Sequence, residues 1–487
     1  MGRADRTAIA GGVPGIELMR TAGAHVGRVA ETLCRPGGRV VVVSGPGNNG
    51  GDGFVAAKYL KGHGYPVDVW LLCEADKLRG DAAQAFQEMG FEPRPVDLAG
   101  LSQSLSGAAL VIDAMFGAGL DRHLEGLAAD CVELINSSGV DVLSVDLPSG
   151  VNGATGQVMG ASVHAKKSIT FFRLKPGHLL YPGRALRGEV KCVDIGIPDD
   201  VLSDIRPQTS RNLPGLWMGH WPVPQVNGHK YERGHAVVFS GPMHSTGAAR
   251  LAAAAALRAG AGLVTVASPP SALMTNAAHL TAVMLRPVRD RENIIDLLKD
   301  RRFNSVAIGP GYGVGEGCAT AVMAILGSGA CVVLDADALT SFQQDPASLF
   351  EQIRGREASV VLTPHDGEFR RLFPDLAELS KLERAKKAAE RSGAVVILKG
   401  PDTVIADPSG QAAINDNAPP WLATAGSGDV LAGIVTGLLA QSVPAFEAAC
   451  MAVWLHGASG IEAGPGLIAE DLGSALRPVI ARLVEKA

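Results

Sequence analysis

The chain has 487 residues, a formal net charge of −5 and 19% charged residues, with no long block of like charge, which argues against an electrostatic footprint for nucleic acid or a membrane surface. That length exceeds one ordinary hydrophobic core and predicts two domains. Seven cysteines stand singly, without a C-x-x-C pair, so a reducing cytoplasm is expected rather than a disulfide framework or a zinc ribbon.

The N-terminal stretch mixes Arg3, Asp5, Arg6, Glu17 and Arg20 with apolar positions at helical spacing. It lacks the apolar core of a signal peptide and predicts a helix over 14–33. No apolar run approaches the roughly 18 residues that span a bilayer. Strand and helix signals then alternate: strand 39–44, helix 54–64, strand 67–72, helix 80–90, strand 109–113, helix 125–137 and strand 142–146, followed by β-rich segments at 167–172 and 188–196. Near-continuous apolar strands separated by helix-length segments predict a parallel sheet covered on both faces. The loops 45–53, 113–119 and 146–153 each follow a strand, so they gather at the carboxyl edge, where open α/β sheets bind ligands. Residues 198–234 are proline-rich, polar and aperiodic, as a linker would be, and place the domain boundary near 210. Beyond it come strand 235–240, an Ala-rich helix 246–259, strand 262–267, helix 291–300, strands 304–308, 331–335 and 358–362, helix 378–392, strand 394–398 and a helix from 428. The expected class is α/β with two domains, 1–210 and 211–487.

Gly45-Pro46-Gly47-Asn48-Asn49-Gly50 satisfies G-x-G-x-x-G, and Glu74 lies where a ribose-binding acid would follow, so a dehydrogenase loop is the literal reading. Two residues oppose it. Pro46 has no N–H for a pyrophosphate, and Asp52 places a carboxylate where phosphates need positive potential. Asp113 and Asp146 end two further strands, with Ser149 close behind the second. Convergent carboxylates, an asparagine and a hydroxyl make an all-oxygen environment for a hard cation, with one carboxylate left over as a general base. Each acid alone reads equally well as a helix cap or a satisfied strand end.

In order, "GPGNNGGDG" (45–53), "DAMFGAGL" (113–120), "DLPSG" (146–150) and "KPGHLLYPG" (175–183) with "GEVKCVDIGIP" (188–198) resemble the YjeF N-terminal family, the NAD(P)H-hydrate epimerases, over residues 1 to about 200. The resemblance implies a Rossmann-like three-layer sandwich acting on hydrated nicotinamide dinucleotide. It implies substrate contacts from Asn48, Asn49, Gly50, Gly51 and Asp52, from Gly117, Ala118, Gly119, Leu120, Asp121, Arg122 and His123, and from Asp146. Potassium would be held by Asn49, Asp113 and Ser149, and Asp146 would be the catalytic carboxylate. The family usually carries Thr where this chain has Ala118.

In the second half, Gly426-Ser427-Gly428-Asp429 opens a helix, where free amides form an anion hole beside a carboxylate. No Walker A loop occurs. "AIGPGYG" (307–313), "VVLDADAL" (332–339), "LTPHDGEF" (362–369) and "ILKGPDTVIA" (397–406) end strands in glycine, acid, His365 or Lys399. Asp335 and Asp337 alternate, so at most one of them faces a ligand if the strand persists through both. Together with residues 233–267, these segments resemble the ADP/ATP-dependent NAD(P)H-hydrate dehydratases of ribokinase-like, three-layer fold over residues 225–487. The resemblance implies nucleotide contacts from Lys399, Gly400, Pro401, Asp402, Thr403 and Gly428, and hydrate contacts from Ala248, Gly311, His365 and Asp429, with Asp429 as base. ADP or ATP would be the co-substrate, with Mg2+ on its phosphates.

The leading expectation is a bifunctional repair enzyme, cytoplasmic and homo-oligomeric, that epimerises the R and S hydrates and dehydrates the S form. The alternative is a vitamin- or sugar-type small-molecule kinase fused to a non-catalytic ligand-binding module, which would release a stable phosphorylated product.

Overall fold

The computed structural model describes residues 2–485 and divides into two compact units between Pro207 and Gln208. Among the described residues of the first unit, one seven-stranded sheet is built from β1 (Val40–Ser44), β2 (Val67–Leu71), β3 (Arg94–Pro95), β4 (Leu110–Ala114), β5 (Val142–Val145), β6 (Lys167–Phe171) and β7 (Glu189–Val193). The order is β3-β2-β1-β4-β5-β6-β7, and every pairing is parallel. The run Val40–Val43 explains the layering: Val40 and Val42 bury into one apolar cluster, Val41 and Val43 into another. A strand's alternating faces therefore meet two helical layers. The first cluster includes Val26 and Phe54 from helices Gly15–Leu33 and Asn48–Gly62; the second includes Leu101, Leu105 and Ile135 from helices Leu98–Ser106 and Leu127–Ser137.

Among the described residues of the second unit, a ten-stranded sheet comprises β8 (Thr209–Arg211), β9 (His235–Phe239), β10 (Leu263–Ser268), β11 (Met284–Pro287), β12 (Phe303–Ile308), β13 (Cys331–Leu334), β14 (Val360–Leu362), β15 (Val395–Leu398), β16 (Val404–Ala406) and β17 (Ala412–Ile414). Its order is β11-β10-β9-β12-β13-β14-β15-β16-β17-β8, with antiparallel pairing only at β15–β16 and β16–β17. The Ala-rich helix Thr246–Arg258 packs on helix Ser427–Ala440, where a Cβ at Gly433 or Gly437 would collide with the backbone of Ala252 or Ala256. Small residues on both helices permit that approach.

Three expectations need correction. The helix after β1 begins at Asn48, not 54. Its glycines have low helix propensity and read as loop, yet they are what the packing demands: a Cβ at Gly50 would strike the Gly45 carbonyl, and one at Gly53 would lie 2.7 Å from Ala114 Cβ. Residues 198–234 are not a featureless linker, for they hold helix Val201–Ile205, strand β8 and helix Pro214–Trp217. Strand β8 pairs with β17, so the second unit begins just before residue 210. Asn212 anchors this segment: its amide nitrogen donates to Asn415 Oδ1 (3.0 Å) and Cys450 O (2.9 Å), and its oxygen accepts from Trp217 Nε1 (3.1 Å). Finally, the strand carrying Asp335 does not persist through Asp337. It ends at Leu334, and Ala336 takes a φ of +47°.

Candidate active sites

In the first unit the strand order reverses between β1 and β4, and the crevice outside the carboxyl ends of such a pair is where α/β sheets bind ligands. A cavity of about 610 Å3 opens there, lined among others by Asn48, Asn49, Asp52, Gly117 to Arg122, Asp146 and Lys175. Of the expected contact residues, His123 is not on its wall, and Gly50 and Gly51 are buried within the helix packing.

Asp146 follows β5 in a left-handed conformation, φ +63°, rare for a residue with a side chain. Its amide donates to Ile169 O at 2.7 Å. Its carboxylate Oδ1 meets Lys175 Nζ at 2.6 Å and accepts from Thr170 Oγ1 at 2.8 Å, while Oδ2 accepts from Ala118 N at 2.9 Å. Burial works to raise this carboxyl; the Lys175 ammonium and the Ala118 amide more than offset it and hold the group at about 2. Asp146 is therefore ionised at neutral pH. Lys175 also donates to Thr170 Oγ1 (2.7 Å) and Phe171 O (3.3 Å). His178 accepts at Nδ1 from Lys175 N (3.0 Å) and donates from Nε2 to Asp146 O (2.8 Å). Burial pushes that ring down to about 4, so a neutral imidazole braces both members of the ion pair. Asp52, one turn inside its helix and 8% exposed, is pushed well up by burial and by the charges of Asp146 and Asp5.

Asp113, fully buried, accepts from Ser149 N (2.8 Å), Ser144 Oγ (2.9 Å), Met115 N (3.3 Å) and the Ser149 hydroxyl. Burial raises it; its partners are hydroxyls and amides rather than cationic side chains. Asn49 Nδ2 is buried without a hydrogen-bond partner. A Cβ at Gly117 would stand 2.8 Å from Asn49 Oδ1 and 3.0 Å from Asp146 Oδ2, so glycine there lets both side chains reach the same point. An uncompensated buried carboxylate beside amide and hydroxyl oxygens is a donor set that fits a monovalent cation.

In the second unit the order reverses between β9 and β12, and a Cβ at Gly241, after β9, would collide with the Gly311 carbonyl after β12. Gly311 has a φ of +62°; its carbonyl accepts from Ser245 Oγ at 2.7 Å, and a Cβ on it would lie 3.4 Å from Ala248 Cβ. A cavity of about 660 Å3 opens beside this loop, between Pro242, Arg289 and Tyr312. Farther along the edge, Asp335, 2% exposed, holds Lys399 Nζ at 2.7 Å, with Glu368 Oε2 at 3.9 Å. A Cβ at Gly428 would stand 3.6 Å from Lys399 Nζ, and one at Gly426 would stand 3.9 Å from Asp429 Oδ2. Lysine, carboxylates and the first turn of helix Ser427–Ala440 thus converge. Burial, then the Asp335 charge, raises Asp429 to about 6 against the opposing pull of Lys399. Thr403 Oγ1 donates to Gly400 O (2.8 Å), tightening the turn after β15, and Lys381 pairs with Asp402 beneath it. His365 caps a short helix, its Nδ1 accepting from Glu368 N at 3.2 Å, while its ring stays largely exposed. Asp337 accepts from Gly313 N at 2.8 Å, so both acids of that pair serve the site's loops.

Sequence reasoning missed Lys175, Thr170 and His178 as functional groups, although "KPGH" carried two of them. It also missed Glu368, Lys381 and His456, whose Nε2 lies 3.0 Å from Ser427 Oγ. Glu368 lies within the LTPHDGEF stretch that the sequence singles out, whereas Lys381 and His456 have no local signal.

Two family models match the chain: YjeF-related protein N-terminus over residues 15–177, and NAD(P)H-hydrate dehydratase over residues 236–472. The chain is 38% identical over 465 residues to the bifunctional NAD(P)H-hydrate repair enzyme of Thermofilum pendens, covering 91% of this chain and 86% of that one. It is 36% identical over 520 residues to the enzyme of the same description from Moorella thermoacetica, covering 100% and 96%. Among solved structures, a ribokinase-like superfamily protein from Enterococcus faecalis matches at 25% identity and a TM-score of 0.50, covering 57% of this chain and 96% of that one. The chain belongs to the family of bifunctional NAD(P)H-hydrate repair enzymes.

Proposed function

We propose that the first unit interconverts the R and S hydrates of NADH and NADPH, and that the second dehydrates the S form at the expense of ADP or ATP. The observation that carries the reading is the pairing of a cavity built around an ionised Asp146–Lys175 pair with a separate helix N-terminus flanked by Lys399 and the basic-leaning carboxylate Asp429.

In the first site the hydrate bears a hydroxyl and the ring nitrogen N1 on the same carbon, C6. The N1 lone pair expels the C6 oxygen, which leaves with its bonding pair and takes a proton from the Lys175 ammonium, giving water and an N1=C6 iminium cation. Water then attacks C6 from the other face, and its surplus proton returns to the Asp146–Lys175 pair. Atoms and charges balance without a redox cofactor. Asn49, Asp113 and Ser149 would hold potassium, which supplies charge compensation for the buried Asp113.

In the second site Asp429 accepts the proton of the C6 hydroxyl as that oxygen attacks the terminal phosphorus of the nucleotide, whose bond to the bridging oxygen breaks and releases AMP from ADP, or ADP from ATP. The C6–O bond then breaks, phosphate leaves with the electron pair, and transfer of a proton from C5 to water restores the C5=C6 double bond. Lys399 and the amides opening helix Ser427–Ala440 face the transferred group. Mg2+ would accompany the nucleotide phosphates and supply neutralisation of the charge on the transferred group. The protein is read as a cytoplasmic homo-oligomer.

The test is recovery of absorbance at the reduced-nicotinamide band from a mixed R and S hydrate with ADP or ATP. Complete conversion with release of free phosphate supports the reading. A stable phosphorylated product would favour a small-molecule kinase, and conversion that stops when the S form is spent would remove the epimerase.

A further inference from the structure

We propose that Asp5, on the N-terminal helix Gly2–Ala10, is a further catalytic residue of the first site, facing the cationic ring that forms when the C6 hydroxyl leaves. The inference rests on the epimerase reading. Asp5 lies outside the stretch matched by the family model, which begins at residue 15, and no motif assigns it a role.

The helix is anchored rather than loosely appended. Ala4 and Ala8, one turn apart on one face, are 1% and 2% exposed within the first unit's core. That anchoring puts Gly2, Asp5 and Ile9 on the wall of the 610 Å3 cavity, which Asn49, Asp146 and Lys175 also line. Asp5 is half-buried. Burial raises its carboxyl; among the charges acting on it, the N-terminal ammonium, Lys175 and Arg6 of its own helix pull it down and Asp146 pushes it up. The charges acting on Asp52 are Asp146, Asp5 and Lys175. The cavity wall therefore places Asp5 and Asp146 near one lysine, which is already spent on Asp146 and Thr170, while Asp52 is held towards its neutral form.

A neutral hydrate gains little from that excess of carboxylate. The iminium does: when C6–O breaks, N1 and C6 acquire a full positive charge in a site whose field was set before the charge appeared, and stabilisation made only then raises kcat rather than tightening ground-state binding. Asp5 also stands in the first turn of its helix, where an acid favours the helix dipole. A purely structural Asp5 would serve that role alone, and the two roles separate by experiment.

The measurement uses the full chain and its Asp5→Asn and Asp5→Glu variants, with the second unit's dehydratase rate on pure S hydrate as the internal control of folding. Asp5→Asn is expected to lower the epimerisation kcat by about tenfold to a hundredfold, the scale of one carboxylate acting at several ångströms, with KM little changed and Asp5→Glu recovering part of the rate. Binding of unhydrated dinucleotides gives an independent readout. Asp5→Asn should weaken the oxidised form, whose ring is cationic, by about tenfold while leaving the reduced form unaltered. Equal effects on both dinucleotides, or an unchanged kcat in a wild type that does epimerise, overturns the inference alone. A wild-type chain that fails to epimerise at all overturns the reading beneath it, and this inference with it.

Discussion

Replacing Lys175 with Met tests the account of the first site most directly. Asp146 is fully surrounded by protein, yet its carboxyl is held from an ordinary 3.8 down to about 2, a difference worth about 2.4 kcal/mol at 1.36 kcal/mol per pH unit. Because the folded value lies below the unfolded one, this stabilisation is present above roughly pH 4 and is lost as the pH falls from there towards 2. Methionine preserves the aliphatic stem and removes the charge, so burial acts unopposed and Asp146 becomes a buried carboxylate without a cation. Breaking one partner of such a pair costs about 3–5 kcal/mol. Hydrogen exchange at the amides of β1 and β4, which reports on this unit alone, should show that loss at neutral pH and a shrinking gap between variant and wild type at acid pH. The epimerisation kcat should fall by about 10²–10⁴, the usual contribution of a positioned proton donor, and its acid limb should move upward because Asp146 protonates more easily. An unchanged kcat together with unchanged exchange at neutral pH would refute both the ion pair's role and its energetics.

Dehydration should follow Asp429: with its carboxyl at about 6, kcat/KM should fall about tenfold per pH unit below that value and level off above it. Asp335→Asn removes the charge that raises Asp429 and frees Lys399, so the acid limb should shift downward; an upward shift in the pH–rate profile contradicts the proposed arrangement. Gly241→Ala places a methyl against the Gly311 carbonyl and should cost about 1–3 kcal/mol of overpacking, raising KM for the hydrate in dehydration while epimerisation is untouched. Potassium at 100 times its dissociation constant should stabilise the first unit by about 2.7 kcal/mol; equal protection in N-methylglucamine buffer would dismiss the cation site.

How far the sequence reveals the fold depends on the range of the interaction involved. The Val40–Val43 run and the loops that follow the strands declare a covered parallel sheet and its ligand edge through local pattern alone, and the structure has both. The start of helix Asn48–Gly62 was obscured because its glycines answer to close tertiary packing, which overrides propensity. The segment around Thr209–Arg211 reads as linker because what orders it, Asn212 against Asn415 and Cys450, lies more than two hundred residues away in the chain. Site residues divide in the same way. Asp146 follows a strand and Asp429 opens a helix, both in glycine-rich stretches that advertise themselves, whereas Lys175 belongs to another loop and acquires meaning only when β6 lies beside β5. Asp5 is more hidden still, on a helix that reaches the cavity only through the packing of two alanines.

The two sites also show how one pair of residue types is set to opposite tasks. In the first, the lysine is bonded directly to the carboxylate proposed as catalytic, Lys175 to Asp146 at 2.6 Å, which keeps that acid ionised and couples it to a donor that can lend a proton and take it back. In the second, Lys399 is bonded instead to Asp335 at 2.7 Å, leaving Asp429 raised to about 6 by burial and by the like charge of Asp335. An acid whose affinity for protons lies near the working pH can accept one from a hydroxyl, which a carboxylate held at about 2 does poorly. The difference follows from which strand end carries the lysine's partner. Removing the partner of Lys399 should therefore lower the proton affinity of Asp429: Asp335→Asn, which leaves Lys399 only Glu368 and Asp429 to answer, is the substitution that should make the second site behave electrostatically like the first.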